Sequence, residues 1–231
     1  MHLSSTLSSL AVMRRSPPER SKDPPGVISV NVGQPREFEL NGRSYTSAIW
    51  KSPVEGRRRL TGINVAGDDQ ADRTVHGGHD KAVYAYAQED YSWWEGRLGY
   101  VPEPGTFGEN LTVLGIDVNK RLVGERWRVG TALLEVTQPR LPCFKLGVRM
   151  DDPTFPRRFS SAARWGSYLA IVEEGDVGAG DVIEVVDRPA HGVTVGLVAY
   201  VYYHDHTRAH ELLDADSLPH GWRTWAENAS R

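Results

Sequence analysis

The sequence predicts a mainly β fold, a barrel or folded-over sheet with a few helices, followed by a small three-helix subdomain. Three observations predict it. Short β-branched runs recur from Val27 onward, and an Asn-Gly pair joins two of the early ones. In addition, 23 glycines and 14 prolines punctuate the chain, the texture of many short strands joined by tight turns. Beyond residue 187 the apolar spacing changes from alternating to helical. A chain of 231 residues suits one sizeable domain with a small appendage.

Residues 1–26 are rich in Ser, Pro and Arg and are read as a disordered leader. Within them, the apolar piece Leu7 to Met13 is too short and too interrupted by serines for a secretory core. Arg14-Arg15 follows that piece instead of preceding it, so the expected location is cytoplasmic. Order is predicted to begin with Val27 to Val32. The runs Arg36 to Leu40 and Arg43 to Trp50 flank Asn41-Gly42 and form a predicted hairpin. Further strands are expected over residues 60–65, 82–86, 126–129, 132–137, 168–172 and 182–186, with a strand-like Leu111-Thr112-Val113. One helix, Gln88 to Leu98, interrupts them, with Tyr91, Trp94 and Leu98 sharing a face. These elements make up a domain over residues 27–187. A tail over residues 194–231 holds three short helices, at 195–203, 207–214 and 219–228.

Composition excludes several classes. No apolar run approaches the roughly 18 residues a membrane span needs, and a net charge of −3 gives no case for nucleic acid. The single cysteine forbids an internal disulfide and an iron–sulfur cluster held by four thiolates of this chain. The phosphate-loop and dinucleotide fingerprints are absent, as is a Gly-x-Ser-x-Gly elbow.

That cysteine, Cys143, is fenced by Pro139 and Pro142 and flanked by Arg140 and Lys145. Prolines stiffen the approach, and nearby cations favour the thiolate, the reactive and metal-binding form. The competing reading is a small buried apolar residue. A second segment, Gly67 to Lys81, packs acids, His76, His79 and the Gly77-Gly78 pair between two strands. Its glycines can bring backbone N–H groups close to an anion, although an ordinary polar loop has the same composition. His76 and His79 do not make a zinc pair convincing, because no second Cys-x-x-Cys pair accompanies them. In the third segment, Gly105 to Thr112, Asn110 can donate and accept at once, which suits orienting a ligand or closing a turn.

Taken in series, Asp69-Gln-Ala-Asp72, His76-Gly-Gly78, Gly108-Glu-Asn110 and Pro139-Arg-Leu-Pro-Cys143 resemble the motifs of MOSC domains, the molybdenum cofactor sulfurase C-terminal family. The order and spacing are similar to its YiiM-like branch, whose small C-terminal domain the three-helix tail also resembles. The resemblance implies a β-barrel that binds a molybdenum-pterin cofactor (Moco), with Cys143 as the thiolate on the metal. It makes Lys51, Arg73, Lys81 and Arg140 candidates for the pterin phosphate. The Gly77 and Gly78 backbone and Asn110 become pocket groups. It also implies reduction of N-hydroxylated bases and related N-oxygenated compounds to amines. His76 is then the proton source, because the unperturbed pKa of histidine lies near neutrality, and Asp72 is the carboxylate that orients it.

Electrons are expected from an external donor, a reductase, flavoprotein or ferredoxin-type carrier, since no redox centre of this chain is visible. Pyridoxal phosphate belongs to another domain of the larger sulfurases and is not expected. Two other readings use the same thiol: a sulfur or cofactor carrier with a Cys143 persulfide, and a hydrolase with His76 as base. The aromatic tail reads either as packing or as a surface for a homodimer or the donor.

Overall fold

The computed structural model describes residues 24–69 and 77–231. Its first half contains β1 (Gly26–Val32), β2 (Arg36–Leu40), β3 (Arg43–Ser47), β4 (Ser52–Pro53), β5 (Arg58–Thr61), β6 (Asn64–Val65), β7 (Val83–Ala87), α1 (Gln88–Leu98) and β8 (Leu111–Leu114). Then follow β9 (Arg126–Val129), β10 (Ala132–Pro139), α2 (Phe144–Arg149), α3 (Phe155–Ser161), β11 (Ser167–Glu173), β12 (Gly175–Val177) and β13 (Ile183–Asp187). The tail is α4 (Val195–His204), a 3-10 helix (His206–Asp214) and α5 (His220–Ala229).

The main sheet runs β13-β9-β10-β11-β7-β8-β1-β4. Its neighbours are antiparallel except β7 and β8, which run parallel and need the crossover that α1 supplies. The two flanks of the sheet meet. Ile183 N–H donates to the Pro25 carbonyl (2.7 Å), Val27 N–H to Asp181 (2.9 Å) and Gly180 N–H to Val27 (2.8 Å). The sheet therefore folds round on itself, as the sequence predicts. The end of the predicted leader needs correction: residues 1–23 lie outside the described residues, but Pro25 and Gly26 already belong to the barrel seam.

The β2–β3 hairpin forms as expected. Asn41 (φ 52°) and Gly42 (φ 71°) occupy the left-handed region that a two-residue hairpin turn with the right twist requires. The predicted 60–65 strand is instead two strands. Gly62, at φ 60°, turns the chain back so that β5 pairs with β6 and with β12. Helix α1 matches its predicted bounds. Two short helices, α2 and α3, were not expected, and the middle tail helix is of the 3-10 type.

Three apolar clusters hold these elements. Inside the barrel lie Val27, Val30, Leu111, Trp127, Leu134, Val136 and Leu169. Outside β7, Tyr84 and Tyr86 join Tyr91, Trp94, Phe107, Phe155 and Phe159 in an aromatic layer under α1, α2 and α3. Every residue of β7 is buried because both of its faces are covered, and so its sequence, Val-Tyr-Ala-Tyr-Ala, lacks polar alternation. The third cluster joins Val123 of the barrel to Val198, Val201, Leu212, Leu218 and Trp222 of the tail. Helix α4 enters all three clusters, through Val195, Ala199 and Val198 in turn. Among the described residues no helix is long and apolar enough to cross a membrane.

Candidate functional site

Strand β10 leads the chain to Cys143. Its partner β9 stops at Glu135, whereas β11 pairs with it as far as Pro139. The proline's missing N–H therefore faces no ladder, and the strand runs two residues past the expected end at Thr137. Cys143 then caps α2 in an extended conformation, its carbonyl accepting the Leu146 N–H at 3.0 Å. Its thiol is part-buried and free.

Two cavities meet at this residue. The first is lined by Lys51, Asp68, Asp69, Lys81, Tyr84, Asn110, Arg140, Lys145 and Tyr168 together with Cys143, and by Ile49 and Gly108. Four basic side chains face two acidic ones there. The second cavity, a groove of about 600 Å³, is lined by Gly77, Gly78, Lys81, Gln138 and Cys143, and on its far side by Tyr202, Trp222 and Trp225 of the tail.

A buried polar network fixes the first cavity. Lys51 and Asp68 form an ion pair, both almost wholly inaccessible. Asp68 also accepts from Gly33 N–H (2.7 Å) and Asn110 Nδ2 (2.8 Å). Asn110 Oδ1 in turn accepts the Tyr84 N–H at 3.1 Å. Below it, fully buried Glu109 accepts from Gly105 N–H (2.7 Å), Thr112 Oγ1 (2.9 Å) and the Tyr91 hydroxyl. This ties down the loop from Gly105 to Asn110. A Cβ on Gly105 would sit 2.7 Å from the Lys51 carbonyl, so the loop reaches Lys51 only because glycine stands there.

Burial lowers the pKa of Lys51 against the pull of Asp68, and lowers that of Lys81 against Asp80. Burial raises the Glu109 carboxyl and the Tyr84 and Tyr168 hydroxyls. Arg140 is 6% exposed and lies against the Tyr84 and Phe159 rings, its guanidinium carbon 5.7 Å and 5.4 Å from their centroids. Its Nη1 has no hydrogen-bond partner among the described residues. A buried guanidinium nitrogen without a partner, on a residue of the cavity wall, is a donor that an anion would satisfy.

Five residues singled out in the sequence, Lys51, Lys81, Asn110, Arg140 and Cys143, therefore line one cavity, and Gly77 and Gly78 line the adjoining groove. Asp72, Arg73 and His76 lie outside the described residues. Asp69 and Gly77, the described residues on either side of them, line the first and second cavity respectively. Asn110 spends its amide on Asp68, Tyr84 and the Asn31 carbonyl, so it shapes the cavity wall through backbone and carboxylate. Sequence reasoning missed Asp68, Tyr84, Tyr168 and Tyr202. Tyr84 sits in a β-run that reads as core, and nothing local links Asp68 to Lys51.

The MOSC domain profile matches residues 72–184. The uncharacterised protein YflK of Bacillus subtilis is 34% identical over 200 residues, covering 85% of this chain and 90% of YflK. The chain belongs to the MOSC domain family. This MOSC protein is also similar to the crystal structure of YiiM from Geobacillus stearothermophilus, with a TM-score of 0.75 at 28% identity, covering 90% of this chain and all of that one. A reductase of Gibberella moniliformis is 34% identical over 172 residues, which is 71% of this chain and 30% of the longer fungal protein. The MOSC family implies a molybdenum-pterin cofactor, and the residues fit such a group. The cation excess and the orphaned Arg140 donor suit a phosphate, and a thiol that lines both cavities suits a soft metal.

Proposed function

We propose that this MOSC protein is a molybdenum-cofactor-dependent oxidoreductase that reduces N-hydroxylated bases and related N-oxygenated compounds to amines. The observation that carries the reading is the position of Cys143 between a cationic cavity with an unpartnered Arg140 donor and a roomy groove open to a substrate. The sequence likeness to a protein named reductase supports the oxidoreductase class.

In this reading Arg140, Lys51 and Lys81 hold the cofactor phosphate, Arg140 as a fork and the lysines as point charges. Arg73 joins them, and the Cys143 thiolate ligates the metal. The bound cofactor supplies a two-electron centre that accepts oxygen. The net reaction takes R–NHOH, two electrons and two protons to R–NH2 and water. His76, oriented by Asp72, delivers a proton to the leaving oxygen, a role suited to imidazole, whose unperturbed pKa lies near neutrality. Electrons arrive from a separate reductase, flavoprotein or ferredoxin-type carrier.

Expression in a host that makes the cofactor, followed by metal analysis and an assay with a chemical reductant, tests the proposal. Wild type should carry near-stoichiometric molybdenum and reduce an N-hydroxylated base, whereas Cys143→Ser should lose most of the metal and the turnover. Equal molybdenum in both proteins would remove Cys143 as ligand. A stable extra sulfur on the Cys143 peptide without any pterin would make the protein a sulfur carrier instead.

A further inference from the structure

The groove beyond Cys143 has a composition unlike that of the cationic cavity. At about 600 Å³ it lies within the roughly 300–1,000 Å³ usual for small-molecule sites. Its far wall is aromatic, and the helical tail supplies it. Tyr202 and Trp225 each stand nearly edge-on to Trp222, their planes crossing its plane at 82° and 84°, and are tilted to each other by 59°. His206 closes the far side of Trp225 at 85°.

The two tryptophans differ in how they are held. Trp222 is buried, and its indole N–H donates to Gln138 Oε1 at 2.7 Å, while Gln138 Nε2 donates to the Asp80 carbonyl at 3.2 Å. That chain pins α5 to the barrel and makes Trp222 a structural anchor. Trp225 is half-buried, packs against the third apolar cluster with ring contacts to Tyr202, His206 and Trp222, and lines the groove. The part of its indole that lines the groove is open to a ligand. The same groove is lined by Asp80, Lys81 and the backbone at Gly77 and Gly78, which provide a polar edge. A flat ring with hydrogen-bonding groups on one edge meets both demands at once. Aromatic surface is offered to its face and polar groups to its rim, with the reacting substituent toward Cys143. A small aliphatic hydroxylamine would use neither.

We propose that the C-terminal tail selects the substrate: Tyr202 and Trp225 form the wall on which planar heteroaromatic N-hydroxylated bases stack beside Cys143. The proposal rests on the reductase reading given above, and its test separates the two. Gly221 lines the same groove at the start of α5, and a Cβ built there meets nothing within 4 Å. Gly221→Leu thus fills the groove while keeping every aromatic ring, and Trp225→Ala removes the stacking surface.

Binding of adenine and of cytosine, as reduced planar probes, is measured calorimetrically on protein without cofactor. Base–aromatic stacking is large enough that each variant should weaken binding about tenfold, and Gly221→Leu, which removes no contact, should do so with a melting temperature close to that of wild type. On loaded enzyme with a chemical reductant, the ratio of kcat/KM for an N-hydroxylated base to that for hydroxylamine should fall about tenfold in each variant. Unchanged base binding in both variants overturns the proposal. So does a loss of turnover that is equal for base and hydroxylamine. If the variants instead alter only the oligomeric state, or only turnover with a protein electron donor, the wall is a docking surface and the proposal fails. If base binding is lost as expected but no loaded form reduces any N-hydroxylated compound, the aromatic wall stands and the reductase reading falls.

Discussion

Lys51 and Asp68 illustrate how a buried charge pair constrains a site. Each is almost inaccessible, and Asp68 additionally holds Gly33 and Asn110. Removing one partner leaves an uncompensated charge in the interior, so Asp68→Ala is expected to lower stability by about 3–5 kcal/mol. The double variant Lys51→Met/Asp68→Leu should recover part of that loss, since the Gly33 and Asn110 donors stay unpaired, and urea denaturation of the three proteins checks both statements. Asp90 on α1 behaves differently. It is 4% exposed, and burial raises its pKa from 3.8 to about 6, against the opposing pull of Arg164. The folded protein then binds that proton more tightly than the unfolded chain does. Stability should therefore fall as pH rises from about 4 to about 6 and stay flat above, a total of about 3 kcal/mol. Asp90→Asn should abolish that slope in denaturation curves taken across the range. At this scale the sequence was informative about Cys143, Arg140 and Lys81, whose neighbours in the chain announce them. It was silent about Asp68, because its partner Lys51 comes from a distant turn and only tertiary structure joins them.

The elements explain which parts of the fold were legible. Strand β9 and helix α1 match their predicted bounds because their apolar spacing is set by one buried face each. Helices α2 and α3 were hidden by Pro142, Pro153 and Pro156, which read as loop markers, although Phe155 and Phe159 stand one helical turn apart and both are fully buried. Gly62 was overlooked as a turn because Leu60 and Val65 around it are both core residues. The loop from Gly105 to Asn110 gives an element-level prediction. Gly108 lies at φ 81°, and a Cβ there would come within 2.9 Å of Ile49 Cγ1. Gly108→Ala should therefore destabilise the protein by about 1–3 kcal/mol. It should also disturb the cationic cavity, because Ile49 lines it. Cofactor content relative to total folded protein, compared between variant and wild type, measures the second effect.

Across the whole molecule, α4 binds the barrel interior, the aromatic layer and the tail into one body, since it contributes a residue to each cluster. Unfolding monitored by far-UV circular dichroism, tryptophan fluorescence and near-UV signals should give superimposable transitions, as expected of a single cooperative unit. A tail that melted first would separate them. The seam of the barrel bears on how the molecule comes into being. The chain at the start of the first strand, through Pro25 and Val27, bonds to residues 180–183 at the start of the last strand. Contacts so remote along the chain carry a large loop-closure entropy and place the protein among slow, topology-limited folders. During translation the ribosome must release Ile183 before β1 can complete its pairing. The barrel is thus expected to close as a late, concerted event, and cofactor loading and substrate stacking can only follow it.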